Sequence, residues 1–444
     1  MSKHDLRRSS YDVVHKLLEA GFSAYFAGGC VRDMIMEKDP VDYDVATDAR
    51  PEDVAGLFPR TILVGAQFGV VVVLSGTHQV EVAAFRSDCG YSDGRHPDAV
   101  KYSSPEEDAS RRDFTINGLF FDPVKKEVID FVGGREDIKN RVVRAIGEPR
   151  LRFEEDRLRL LRAIRFSARL DFEIEPNTRA ALEETAPKIL TVSPERIRDE
   201  LERMLCDATR VHAFELLDET GLLERILPEA AAMKGVKQPP EFHPEGDVFE
   251  HTRLCLSYLP DDSPFELVMG TLLHDAGKPQ TFEERDGKMH YYRHERVGEK
   301  LAKKICRRLK MSRAQTEATA GLVRKHMTFK DAGKMRESTL KKLFASEHYH
   351  LLAQLCRADA LASTGDLSDC DYCRRRLEEF SREEIKPRPL LTGRDLIEMG
   401  LKPGPIFSVI LGRAYDEQLE GNITDRDEAL EYAGRLAAEL DTTG

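Results

Sequence analysis

The sequence predicts an α+β fold, with a small mixed sheet and its helices over residues 1–140 and helices from there to the end of the chain. Three observations carry this. Short β-rich runs alternate with amphipathic stretches up to about residue 130. Helical periodicity takes over from about residue 150 and continues almost without interruption. Breaks rich in proline, glycine and lysine then punctuate the helical part at 233–247 and again from Lys386. The expected segments are 1–140, 141–235, 240–375 and 376–444.

Taken in order, "DLRRSSYDVVHKLLEAG" reads as an amphipathic helix ended by Gly21, and "SAYFAGG" as a short apolar strand stopping at Gly28 and Gly29. A helix is expected from near Val31. "FGVVVVLSGTHQVEVAAFR" reads as two β-rich runs turning at Ser75–His78, hence a hairpin. "EEDRLRLLRAIRFSARL" and "SPERIRDELERMLCDA" carry helical spacing, and Pro194 suits a first helical turn.

Composition limits the classes. A net charge of -12 over 444 residues, with 33% charged, argues for a soluble protein and puts weight on how the basic residues are distributed. No apolar run approaches the ~20 residues of a membrane span, and "MSKHDLRRSS" lacks the apolar centre of a signal peptide. A cytoplasmic location and no membrane partner are expected. Eight cysteines in mostly apolar contexts fit a reduced compartment. Cys370 and Cys373 form a C-x-x-C, but no second pair matches it as a zinc site.

The glycine pair follows a strand and precedes a helix, where backbone N–H groups can approach a phosphate closely. Arg32 lies in the first turn of that helix. In "DYDVAT", Asp42 and Asp44 are one residue apart, so on a strand both carboxylates face one side, an arrangement that a divalent cation relieves. Glu81 stands between Val80 and Val82, where an ionised side chain is costly without a partner. Arg111 and Arg112 precede an apolar segment. Asp156, Arg159, Arg162 and Arg165 recur along one side of a helix, and nine arginines face four acids between Arg141 and Arg169. The acidic chain therefore has a locally basic neck.

These residues carry a resemblance. "GGCVRD", "DYDVAT", "RRDFTING", "DFVGGREDI", "EDRLR" and "SPERIRDEL" occur in that order over roughly the first 210 residues. They resemble the motifs of the class II tRNA nucleotidyltransferases, the CCA-adding family that includes bacterial poly(A) polymerases. The resemblance implies a nucleotidyltransferase head at 1–140 and a nucleotide-selecting, RNA-binding neck and body at 141–235. It implies Asp42 and Asp44 as Mg²⁺ ligands, Glu81 as a supporting carboxylate, and Gly28, Gly29, Arg32, Arg111 and Arg112 at the nucleotide's phosphates. Asp156 and Arg159 would pair with the base edge of CTP or ATP without a nucleic-acid template, supported by Arg162 and Arg165. Residues 86–108 resemble the flexible loop of members that add the terminal A. The basic "GRR" segment of poly(A) polymerases is replaced by "VGAQFGVVVV" at 64–73. The expected function is therefore CCA addition to tRNA, with A-only addition as the alternative.

Further along, His251, the adjacent His274 and Asp275, and Asp359 occur in or beside helical patterns. Their order resembles the HD phosphohydrolase domain, expected at 240–375. The resemblance implies a divalent metal, transition metals included, on His251, His274, Asp275 and Asp359, with His294 and His326 available to a second ion. A second reading makes this phosphohydrolase the main activity. Nine basic residues against one acid from Lys300 to Lys325 suggest a surface for RNA backbone. The tail at 376–444 is expected to be helical, packing on the helical region or touching tRNA.

Overall fold

The computed structural model describes residues 3–63, 69–89, 99–241, 243–244 and 246–441. It divides into two compact units, one reaching Ala231 and including Arg308–Met311, the other formed by Ala232–Arg307 and the chain from Ser312 onward.

In the first unit the short apolar runs become β1 (Ala24–Ala27), β2 (Asp44–Thr47), β3 (Thr61–Ile62), β4 (Val70–Ser75), β5 (His78–Ala84), β6 (Arg86–Cys89), β7 (Ala99–Tyr102), β8 (Leu119–Asp122) and β9 (Glu127–Asp130). Seven of them form one sheet in the order β3-β4-β5-β2-β1-β8-β9. Only β2 and β5 run parallel, so the sheet is mixed as expected. The hairpin turn between β4 and β5 falls where the sequence places it, with Gly76 at φ 62°. The helix Lys3–Glu19 buries Val13, Val14 and Leu17 completely or nearly so, and Phe26, Phe85, Phe114 and Phe120 fill the core. Each fully buried side chain of this size contributes about 1.5–3 kcal/mol.

Three local expectations are corrected. The helix after the glycine pair begins at Gly29, not near Val31. Only Asp44 lies in β2; Asp42 precedes it. The stretch 86–108 is not a single loop, because β6 pairs with β7 and Pro105–Ser110 is a helix capped by Ser104; residues 90–98 lie outside the described residues, as do 64–68 of "VGAQFGVVVV".

The body of the first unit is helical. In Arg159–Leu170 the apolar positions Leu160, Leu161, Ala163 and Ile164 are fully buried, which turns the arginines of the helix to its other side. Asp156 is not in that helix but caps the preceding one, Pro149–Glu155.

The second unit gathers Val248–Ser257, Phe265–Leu273, His294–Arg308, Arg313–Lys325 and Tyr349–Ala362. Gly270 lets two of these helices meet, since a Cβ there would lie 2.9 Å from Leu322 Cδ1. Its helices are interrupted by an unexpected hairpin, Phe282–Arg285 with Lys288–Tyr291, turning at Asp286 and Gly287 with φ 52° and 69°. The tail helices Pro405–Glu420 and Arg426–Asp441 share a core of Leu396, Ile410, Ala433 and Leu436. The first of them packs on Glu337–Phe344, where Lys341 donates to the Leu419 carbonyl at 2.7 Å. Among the described residues no helix is long and apolar enough to cross a membrane.

Candidate active site and metal centre

The sheet brings the first group of residues together by register. Ala27, at the end of β1, pairs with Asp44, and Val45 of β2 pairs with Val82 of β5, so one step back Asp44 stands beside Glu81. The glycine turn and the carboxylates thus meet at one end of the sheet. Strand alternation sends Val80 and Val82 into the core and Glu81 to the open face, so the sequence-based expectation of a buried, costly Glu81 is corrected. Gly28 has φ 73°, and a Cβ on it would stand 3.0 Å from Arg112 Nη1, so both backbone and space call for glycine.

A cavity of about 630 Å³ opens here. It is lined by all twelve residues that the sequence singles out in this half: Gly28, Gly29, Arg32, Asp42, Asp44, Glu81, Arg111, Arg112, Asp156, Arg159, Arg162 and Arg165. Asp44 is recessed yet reached by water, and its carboxyl is pushed up to about 7, first by its enclosure and then by Asp42 and Glu81, against the pull of Arg112. Hard oxygen donors that repel one another suit a divalent cation.

The guanidinium groups are held by carboxylates that the sequence reading did not single out. Asp108 is buried and accepts from Arg111 through Oδ1 at 2.9 and 2.6 Å and from Arg112 through Oδ2 at 3.2 and 3.0 Å. Burial pushes this carboxyl up, but Arg112 and Arg111 carry it below the usual range. Asp113 accepts from Arg162 Nε at 2.7 Å and from Asn117 Nδ2 at 3.2 Å. Burial opposes its charge as well, yet Arg162 prevails and lowers it to about 2. Arg165 donates to Glu200 at 2.7 Å, Arg159 to Glu155 at 2.7 Å, and Arg196 to Asp156 at 2.8 Å. Arg32 donates to Asn117 Oδ1 at 2.7 Å and to Asp33. The guanidinium carbons of Arg32, Arg162 and Arg165 lie 5.5, 5.2 and 4.4 Å from the centre of the Phe166 ring. Asp108, Asp113, Asn117, Arg196 and Glu200 all lie within or beside quoted motifs, which was the available signal.

In the second unit, among the described residues, donor atoms within 4.8 Å of one another form two groups: His251, Cys255, His274 and Asp359, and Asp275, His294 and His326. The structure therefore gathers all six residues expected there but divides them differently from the sequence reading. His274, His294 and His326 each place Nδ1 on a backbone carbonyl, of Thr271, Tyr291 and Val323, at 2.7, 2.9 and 2.7 Å. A carbonyl only accepts, so Nδ1 carries the proton and Nε2 presents a lone pair. Those lone pairs converge: His274 Nε2 lies 3.3 Å from His251 Nε2, and His294 Nε2 lies 3.2 Å from His326 Nε2. This is the donor pattern of a metal-binding histidine with its outer hydrogen bond in place.

Asp275 faces both groups, with Oδ2 3.3 Å from His274 and Oδ1 3.5 Å from His294. Burial foremost, with the nearby imidazoles of His274 and His294, pushes His326 down to about 4 against the opposing pull of the Asp275 carboxylate. Lys278, not anticipated from the sequence, bridges Asp275 Oδ2 at 2.6 Å and Gln238 Oε1 at 2.5 Å. The adjoining cavity measures about 490 Å³ and is lined by His290, Tyr291, Tyr292, Met327 and Phe329 among others.

The first unit thus has the form of a nucleotide-handling head with a helical body, and the second that of a helical metal-binding domain. Family models agree: residues 24–144 match the poly A polymerase head domain, 171–234 the probable RNA and SrmB-binding site of polymerase A, and 248–364 the HD domain. The chain thus carries, in order, the head domain and RNA-binding region of a poly(A) polymerase and an HD domain. It is 40% identical to a CCA-adding enzyme of Bacillus licheniformis over 50% of this chain and 56% of that one. To poly(A) polymerase I of Haemophilus influenzae it is 38% identical, over 52% of this chain and 54% of the relative. The chain spans about half the length of these curated relatives. Among solved structures, a Bacillus stearothermophilus CCA-adding enzyme in complex with CTP superposes with a TM-score of 0.75 at 27% identity, covering 98% of this chain and 99% of that one.

Proposed function

We propose that the chain is a tRNA 3'-end nucleotidyltransferase that adds C, C and A from CTP and ATP without a nucleic-acid template, with Mg²⁺ held by Asp42 and Asp44. The observation that carries this reading is the single cavity shared by the carboxylates of the sheet and the arginines of the body. Bound there, Mg²⁺ would neutralise triphosphate charge and acidify the attacking hydroxyl. Glu81 supports the pair from the neighbouring strand. The turn at Gly28 and Gly29 admits the phosphates close to the backbone, and Arg32, Arg111 and Arg112 are the cations for them.

Asp156 and Arg159 explain how one site takes two bases. Cytosine and adenine both present an amino donor beside a ring-nitrogen acceptor, whereas guanine and uracil present a carbonyl beside an N–H. A carboxylate next to a guanidinium matches the first pattern and leaves unpaired groups against the second. Such mismatches are costly in a desolvated site. Arg196 fixes the carboxylate of Asp156, and Glu155 and the Arg111 carbonyl fix Arg159.

The test is a tRNA lacking its CCA end, incubated with CTP, ATP or both and resolved at single nucleotides. Full CCA formation by the wild type and none by Asp42→Asn is expected. Extension by ATP alone after CC would favour the A-adding alternative, long A tails the poly(A) polymerase reading, and unchanged activity in Asp42→Asn would overturn the assignment. The converging imidazoles favour a second activity, phosphoester hydrolysis by the HD domain, with Lys278 a cation for the phosphate.

A further inference from the structure

Resting on the reading of the HD residues as metal ligands, we propose that Cys255 is a ligand as well. It would close the position formed by His251, His274 and Asp359, and leave Asp275, His294 and His326 as the open position where water and substrate meet the metal. The pattern H, HD, D contains no cysteine, and a buried cysteine is ordinarily a small apolar core residue. Here the geometry points elsewhere.

His251 and Cys255 are four residues apart on the helix Val248–Ser257, so their side chains lie one above the other on one face. Both are fully buried. The Cys255 sulfur lies 3.4 Å from His251 Nε2, His251 Nε2 lies 3.3 Å from His274 Nε2, and it lies 3.1 Å from Asp359 Oδ1. A tetrahedral ion with a metal–sulfur bond of about 2.3 Å and metal–nitrogen bonds of about 2.0–2.1 Å sets its ligand atoms about 3.3–3.6 Å apart. The spacings from His251 to Cys255 and to His274 fall in that range, the one to Asp359 lies just below it, and all four ligand atoms lie within 4.8 Å of one another.

Two consequences follow from the donor set. Four protein ligands, one of them a thiolate, select a soft or borderline ion such as Zn²⁺ over Mg²⁺ and leave no vacant corner. The second group supplies three ligands, a number that keeps a coordination position free for reaction. Asp275 stands between the groups, its Oδ2 3.3 Å from His274 and its Oδ1 3.5 Å from His294. On coordination the Cys255 thiol proton passes to solvent.

The test uses the full chain, stripped of metal with a chelator and titrated with Co²⁺ alone. A near-ultraviolet thiolate-to-Co²⁺ charge-transfer band is expected alongside the visible d–d bands. It should vanish in Cys255→Ser and persist in Cys30→Ser and Cys356→Ser, whose sulfurs lie near the other carboxylates and near His326. Because Cys255→Ser could misfold, X-ray absorption of the Zn²⁺-loaded wild type provides a second readout, with one sulfur expected at about 2.3 Å. Full d–d bands without charge transfer, a band surviving Cys255→Ser, or a zinc shell of nitrogen and oxygen only would overturn the proposal while sparing the metal reading. Failure of the stripped chain to take up Co²⁺ would overturn both.

Discussion

The buried pair of Asp113 and Arg162 makes a prediction with a magnitude. Asp113 is 8% exposed, and its carboxyl moves from an ordinary 3.8 to about 2, the pull of Arg162 outweighing the burial that opposes it. At about 1.4 kcal/mol per pKa unit this favours the ionised native form by roughly 2–3 kcal/mol. Asp113→Asn keeps the shape and removes the charge. For a unit of this size, where 1 kcal/mol shifts the midpoint by about 2–4 °C, the first unit's transition should fall by about 5–10 °C at pH 7 in calorimetry. The sign with pH is fixed as well. A carboxyl with a depressed native pKa stabilises fully above its unfolded value near 4, and this is lost as pH falls towards 2, so about half should remain at pH 3. A midpoint within about 1 °C of wild type at pH 7, or a deficit equally large at pH 3, would refute the reasoning.

Gly134→Ala would place a Cβ 2.1 Å from the Thr115 carbonyl oxygen, backbone that cannot swing aside, so the same calorimetric transition should drop by the ~1–3 kcal/mol or more of an overpacked core. Gly277→Ala would bring a Cβ to 2.2 Å from the His294 carbonyl oxygen and push away the helix that carries His294. Metal content of the purified protein, read by atomic absorption, should fall while nucleotide addition is untouched; unchanged metal content would count against the placement of that helix. Arg196→Ala frees Asp156, so kcat/KM for CTP and ATP should fall about tenfold, the loss of one charged hydrogen bond, while GTP and UTP gain relative to them. Arg196→Lys should restore part of the discrimination, and a variant that discriminates as well as wild type would show that Asp156 needs no such partner.

What could be read from the sequence was local. A glycine pair after a strand, an Asp-x-Asp, a row of arginines and a histidine next to an aspartate are spacings within one element or turn; one cavity gathers the first three, and the second unit holds the His274-Asp275 pair in its own cluster. The partners were not local. Arg162 meets Asp113 from 49 residues away and Arg165 meets Glu200 from 35, and no periodicity encodes such a pairing. The division of the HD residues into two groups was hidden for the same reason, because it depends on where helices from separate stretches aim their side chains. Cys255 looked like core because its neighbours are apolar. The hairpin at 282–291 had a signal in Asp286-Gly287, but its first strand is mostly charged and exposed throughout, and neither strand has the alternation that marks a half-buried strand.

The clamped guanidinium groups bear on how this protein could be altered. Arg32 answers to the adjacent Asp33, and Arg111, Arg112, Arg159, Arg162, Arg165 and Arg196 answer to an acid on another turn or another helix, so exchanging one cation strands an anion. New base preferences would then arise more readily through reciprocal exchanges, acid and base together, than through single replacements. A library built for altered nucleotide choice should vary 156 with 196, 162 with 113, and 165 with 200 as couples.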